Sequence, residues 1–494
     1  MESARGTTDA ERPAPVVGSF PLGALSALLF CFAVPGYVVL ATPDPVNRAW
    51  PGALLVAVLV GLRYAWIVGR GEQRLIEMTV WLFTYVFLGL APLVQLREGI
   101  SPGTTPRTFA TLVPESFLVV GLGSLAFLVG GLLRAVRPGG PWRPRVRRPV
   151  AVVEPPTTGI PRPIWLLGLG SLLLTAYYLV NVAPALFTDA TTLNRQSFTV
   201  WPNTATQGIV NALAIMPILV TVVALTLLRL RRPRPEWTLA EKALHLATVL
   251  ALVATVNPLN SARYVFGTVA LALAGAVGLY ATARRFRLVA VGAIVGLLVI
   301  FPVADAFRTA NTGEQVVSPV TALQSGDFDA FAQIDNTLLY VQEYGTTQGR
   351  QALGVVLFWV PRAYWPDKPD DTGVLLATFR DYDFQNLSAP LWSELFINGG
   401  WLAVGLGGLV FGWWARGRDD GIVTRLRRSR APGVLGCILP FYFVFLLRGS
   451  LLQAMANLVV MLACAWFADR AVRSRLGAEP DDLPAAEPVG SQAS

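Results

Sequence analysis

Twelve apolar runs of about 20 residues, beginning near Phe20, Trp50, Thr79, Val113, Pro163, Ile209, Ala240, Tyr264, Phe286, Ala389, Pro432 and Leu451, dominate this 494-residue chain. Each is long enough to cross a hydrocarbon core of about 30 Å as a helix. Lipid offers no hydrogen-bond partners, so a spanning segment must satisfy its own backbone, and continuous runs of this length do so as helices. Composition agrees, because 53% of the residues are apolar and only 14% charged, whereas soluble domains carry about 25% charge. The expected fold class is an all-α polytopic membrane protein with about twelve transmembrane helices. The run from Phe20 to Ala41 exceeds a signal-peptide h-region and further spans follow, so it is expected to remain as an anchor.

The basic residues then set topology. A net charge of +9 could serve nucleic acid, but the 38 Arg and 2 Lys sit in short clusters between apolar runs rather than on one face, so no nucleic-acid partner is expected. With the N-terminus inside, 28 basic residues fall on the inner face and 11 on the outer, with Arg63 within a span. Positively charged loops stay cytoplasmic, which predicts that both termini do. The resulting plan has a disordered cytoplasmic tail over 1–19, nine transmembrane helices over 20–304, an extracytoplasmic loop over 305–388, three helices over 389–470 and a disordered tail over 471–494. No internal repeat points to an inverted-repeat transporter.

Soft-ligand chemistry is excluded. Cys31, Cys437 and Cys464 all lie in apolar runs, which implies no disulfide framework, and a single histidine, His245, leaves too few ligands for a zinc or haem site. No metal or cofactor is expected. The long loop is the consequential feature, since connections in bundles usually have about 2–8 residues. Asp305 to Glu394 holds twelve of the 31 acidic residues.

Candidate residues gather at this outer rim. Between the seventh and eighth spans, Asn257-Pro258-Leu259-Asn260-Ser261-Ala262-Arg263 places two amides and Arg263 in a tight turn. After the ninth span come Asp305 and Arg308, then Asp327 and Asp329 straddling Phe328, with Phe331 at helical spacing from it. Carboxylates beside aromatic faces suit sugar hydroxyls. The string from Phe358 to Pro369 carries three prolines that forbid a continuing helix, together with Arg362, Trp365 and Lys368. Arg grips phosphoryl oxygens bidentately and Lys adds a point charge, and Trp365 offers a further aromatic face for sugar. Glu394 opens the tenth span with Asn398 at i+4 on the same face, where a partly desolvated carboxylate suits a general base. Arg448-Gly449-Ser450 forms the last outer hairpin.

The pattern Pro361-Arg362 through Trp365-Pro366-Asp367-Lys368-Pro369, then Gly373, then Ser393-Glu394-Leu395-Phe396-Ile397-Asn398-Gly399-Gly400, then Arg448-Gly449-Ser450, resembles the Wzy-type O-antigen, or oligosaccharide repeat-unit, polymerases. It covers residues from about 160 to 470. The resemblance implies a fold similar to multispanning lipid-donor (GT-C-like) glycosyltransferases in a bacterial plasma membrane. Its implied substrates are saccharide repeat units on undecaprenyl pyrophosphate, joined at the outer face, and its implied partners a flippase and a chain-length regulator. Arg362, Lys368, Glu394 and Arg448 fall within the matching strings, giving Glu394 and Arg362 as catalytic residues. Arg263, Arg308, Asp327 and Asp329 rest on topology alone. In this reading Arg263, Arg308, Arg362, Lys368 and Arg448 neutralise the departing pyrophosphate, Glu394 deprotonates the acceptor, and Asp327, Asp329 and Trp365 hold sugar. Rival readings are weaker. A mannosyltransferase-type enzyme would carry an acidic pair in the first outer loop, which has only Asp44. A ligase would carry an outer histidine, and a flippase or transporter would place charges at the midplane of its spans.

Overall fold

The computed structural model describes residues 20–107, 111–137, 159–188, 190–230, 236–257, 261, 263–300, 318–429 and 431–476. The two tails and Arg308 lie outside these, and of Arg263 only the backbone is described. Among the described residues the chain is entirely helical, without strands. Helices α1 (Pro21–Ala41), α2 (Trp50–Arg70), α3 (Leu75–Glu98), α4 (Val113–Val136), α5 (Arg162–Ala185) and α6 (Thr204–Arg229) precede the shorter α7 (Leu239–Thr255), α8 (Arg263–Ala276) and α9 (Ala283–Val295). The loop region contributes α10 (Ala330–Tyr344), α11 (Arg350–Val356) and α12 (Thr372–Phe379). The chain closes with α13 (Leu391–Ser429), α14 (Val434–Arg448) and α15 (Leu451–Leu476).

Every apolar run therefore holds a helix. Eight of them, α1 to α6, α13 and α15, are long and apolar enough to cross a membrane, so the protein is a polytopic membrane protein by length and composition. The other four positions carry shorter helices, as where α14 is confined between Gly433 and Gly449. Polar backbone ends are closed locally. Thr238 and Glu241 form a capping box at the start of α7, and Glu241 Oε1 also accepts the Ile160 N–H at 2.6 Å.

Helix α3 is the axis of the bundle, buried along nearly its whole length. Its Thr79 and Thr84 hydroxyls return to the Leu75 and Val80 carbonyls at 2.9 Å, so neither leaves a polar group open among apolar neighbours. Helices α4 and α13 form the most extensive pair, and glycines allow it: a methyl at Gly412 would strike the Phe127 carbonyl, and one at Gly130 the Leu409 carbonyl. Backbones that close gain dispersion contacts along the whole crossing, which substitutes for a hydrophobic drive that lipid does not supply.

Two features were not foreseen. Helix α13 breaks at Gly399–Gly400, where Gly400 has φ 60°, a conformation that disfavours a side chain. Glu394 thus stands in a short helical piece before the break rather than one turn inside a continuous span. The region before α13 is also folded rather than open: α10 packs on α4, α12 and α13 with Ala330 to Leu338 all buried, despite Gln333, Asp335, Asn336 and Thr337 among them.

Candidate functional site

The short piece of α13 begins after Pro390, and the Ala389 N–H just before it donates to the Arg448 carbonyl at 3.0 Å, tying the start of α13 to the end of α14. Glu394 is then carried into the space between α12 and the start of α15, where it is buried. Its Oε2 accepts the Thr372 hydroxyl at 2.8 Å, and its Oε1 accepts the Leu451 N–H at 2.9 Å and the Ser450 hydroxyl at 3.3 Å. Both oxygens are engaged. Asn398 does not meet this carboxylate: its Nδ2 donates to the Glu394 carbonyl at 2.7 Å, and its Oδ1 accepts the Ala352 N–H at 2.9 Å.

Arg448 ends α14 beside the turn that opens α10. Its Nε donates to the Asp327 carbonyl at 2.9 Å and its Nη2 to the Gly326 carbonyl at 3.4 Å, with the Asp329 and Asp327 carboxylates at 3.6 and 3.8 Å. Among the described residues its Nη1 makes no hydrogen bond. Asp329 is buried at the start of α10, accepts the Ser388 N–H on Oδ2 at 3.3 Å, and leaves Oδ1 without a hydrogen bond. Burial pushes the Asp329 carboxyl up, and Arg448 opposes that shift. Phe328 and Phe331, expected beside these acids as a sugar platform, instead pack on Phe87 and Phe117 with ring centroids 5.0 and 4.6 Å apart.

Arg362 and Lys368 direct their donors to their own loop. Lys368 Nζ donates to the carbonyls of Phe358 and Val360 at 2.6 and 3.0 Å. Arg362 Nη1 donates to the Lys368 carbonyl at 2.6 Å, and Nη2 pairs with Asp370 at 2.5 Å. Partial burial lowers the Lys368 ammonium below its ordinary range, with the neighbouring Arg362 charge adding to the effect. Trp365 is half-buried in the same loop and its carbonyl accepts the Lys368 N–H at 3.1 Å. These cations close their own loop.

Sequence reasoning missed two carboxylates. Asp371 caps α12 through Oδ1, which accepts the Val374 N–H at 3.1 Å, while Oδ2 accepts Gln453 Nε2 at 3.2 Å. Burial pushes its carboxyl up, against the Val374 N–H, Gln453 and the Gly373 N–H. The signal was present, since Asp371-Thr372 precedes an apolar helical string as an N-cap should. Asp335 had no such signal. Its carboxyl, hydrogen-bonded to the Ser116 hydroxyl, is pushed up to about 7 by burial.

Three strings distant in sequence therefore converge: Asp370-Asp371-Thr372, Ser393-Glu394 and Arg448-Gly449-Ser450-Leu451, with Asp327 and Asp329 behind Arg448. Among the described residues no group of three His, Cys, Asp or Glu is placed to hold a metal ion. Such an arrangement brings a guanidinium backed by acids and the half-buried carboxylate of Asp371 into strings that are joined through Glu394. Comparison of the chain with protein-family models, with curated proteins and with solved structures finds no match.

Proposed function

We propose that the protein polymerises undecaprenyl-pyrophosphate-linked oligosaccharide repeat units at the outer face of a bacterial plasma membrane, with twelve crossings and both termini in the cytoplasm. The observation that carries this reading is the convergence on Glu394. Glu394 and Ser450 lie in the strings that resemble the polymerase family, Thr372 and Leu451 directly adjoin such strings, and hydrogen bonds join the four in one place. Apolar patterning alone would not require that.

In the proposed reaction an acceptor hydroxyl attacks the anomeric carbon of a lipid-linked sugar. The bond from that carbon to the pyrophosphate oxygen breaks, and the leaving pyrophosphate takes the electron pair. Arg448 stabilises the charge through its unengaged Nη1, held in place by Asp327 and Asp329, and cations aimed at developing charge are the strongest general source of such catalysis. Asp371, half-buried with a raised carboxyl, receives the hydroxyl proton. Glu394, with both oxygens committed, positions Thr372 and the start of α15. Arg362 and Lys368 rigidify the loop around this centre.

Mass analysis of lipid-linked saccharides in a deletion strain tests the reading. Single repeat units accumulating on the outer leaflet support it, and accumulation on the inner leaflet assigns the chain to translocation instead.

A further inference from the structure

The segment 350–369 spends its cations on its own backbone. Arg350 Nη2 donates to the Asp367 carbonyl at 2.7 Å, Arg362 to that of Lys368, and Lys368 to those of Phe358 and Val360. Pro361, Pro366 and Pro369 prevent these carbonyls from being satisfied by a helix, and long cationic side chains do so instead. Beside the exposed Arg350, Arg362 and Asp367, four large apolar side chains point outward. Leu353, Val356, Trp359 and Tyr364 are 49, 69, 66 and 85% exposed. Leu353 and Val356 share one face of α11 by their i, i+3 spacing, and Trp359 continues that step.

The position of this face is set by three hydrogen bonds. Thr347 N–H donates to the Ile397 carbonyl at 2.8 Å, Gly349 N–H to the Asn398 carbonyl at 3.1 Å, and Ala352 N–H to Asn398 Oδ1 at 2.9 Å. They pin the start of α11 against the Gly399–Gly400 break. Immediately beyond that break α13 exposes Trp401, Leu402, Leu406 and Val410, the kind of face a spanning helix shows to acyl chains. Helix α11 also packs on α13 and α15, both long enough to span. The exposed apolar residues of segment 350–369 thus stand where the lipid-facing surface begins.

We propose that segment 350–369 is a lipid-interface foot, bedded in the headgroup–acyl boundary through Leu353, Val356, Trp359 and Tyr364. Amphipathic elements with Trp and Leu on one side settle at that depth, and backbone carbonyls there need partners that lipid does not offer. Lys368, Arg362 and Arg350 supply them. Because these cations are engaged within the segment, seating depends on apolar contact rather than on anionic headgroups.

The full chain, reconstituted in vesicles of phosphatidylcholine with or without phosphatidylglycerol, provides the test. A nitroxide is placed through Val356→Cys, Trp359→Cys or Tyr364→Cys, with Gln385→Cys as an exposed control and the parent chain giving the background from its own cysteines. The foot predicts several-fold greater collision with oxygen than with a water-soluble nickel chelate at 356, 359 and 364, the reverse at 385, and the same pattern in both lipid mixtures. Chelate access at those three sites equal to that at 385 overturns it. So does dipolar broadening between labels without oxygen access, which means that a second copy covers the face. All three replaced side chains are exposed, so folding does not depend on them.

Discussion

The two ends of α13 solve one problem in different ways. At the far end Asp419 is buried and accepts the Ile76 and Glu77 N–H groups at 2.9 Å each, capping the start of α3 from another helix. At the loop end Glu394 is buried and accepts the Leu451 N–H at the start of α15. The surroundings then diverge. Around Asp419 the charges close on one another: Glu77 pairs with Arg63 and Arg74, and Arg416 with Asp420, while Arg63 Nε has no hydrogen-bond partner among the described residues. Around Glu394 they do not close, because Arg448 Nη2 stands 3.6 Å from Asp329 Oδ1, at ion-pair rather than hydrogen-bond distance, and Asp329 Oδ1 accepts no hydrogen bond among the described residues. A closed network holds helices together, and one with unspent donors and acceptors can still meet a ligand.

The contrast can be broken most forcefully at the far end. Glu77→Ala leaves Arg63 and Arg74 without their shared carboxylate, and removing one partner of a buried pair costs about 3–5 kcal/mol. Denaturation of the purified chain in detergent should register that loss, and an unchanged midpoint would remove the structural role of the far end.

At the loop end Arg448→Ala should act on turnover instead, lowering polymerisation by about 10²- to 10³-fold, the usual effect of removing one preorganised donor. Its hydrogen bonds to Gly326 and Asp327 are lost as well, so the rate is read per folded molecule. If polymer length and rate match the parent, Arg448 is a strap between α10 and α14.

Asp335 makes the loop end sensitive to pH. Its carboxyl is pushed up to about 7, whereas in the unfolded chain it ionises near its ordinary value, so the folded state keeps a proton that the unfolded state has lost. Stability therefore falls as pH rises from about 4 to 7 and levels off above that. Between pH 5 and 8 the loss should be roughly 2–3 kcal/mol, and Asp335→Asn should flatten the curve. An unaltered slope in that variant would show that another group carries the dependence.

The smallest effect separates two roles of Glu394. As a strap it loses one well-placed acceptor in Glu394→Gln, about 1–2 kcal/mol of stability, with activity per folded molecule kept. A base would instead lose about 10²- to 10⁴-fold in rate. Polymer rate normalised to membrane abundance distinguishes them.

Much of this architecture was legible before any coordinates. Each of the twelve apolar runs holds a helix, eight of them long and apolar enough to cross a membrane, because lipid demands a local hydrogen-bond solution that a continuous run advertises. Other features were half legible. Phe328 and Phe331 showed helical spacing, but whether their faces met sugar or Phe87 and Phe117 depended on α3 and α4, more than 200 residues earlier in the chain. Nothing local in the polar string from Gln333 to Thr337 shows that α4, α12 and α13 enclose it.

By itself the sequence determined the solvent, the helical class and the residue types available for chemistry, since each follows from local composition and period. Tertiary structure alone decided their partners. Glu394 meets groups 22, 56 and 57 residues away, and Lys368 turns to its own loop's carbonyls rather than outward. A side chain's capacity to bind is written in its atoms, but which donors and acceptors remain unspent depends on where distant helices close, and no local pattern records that.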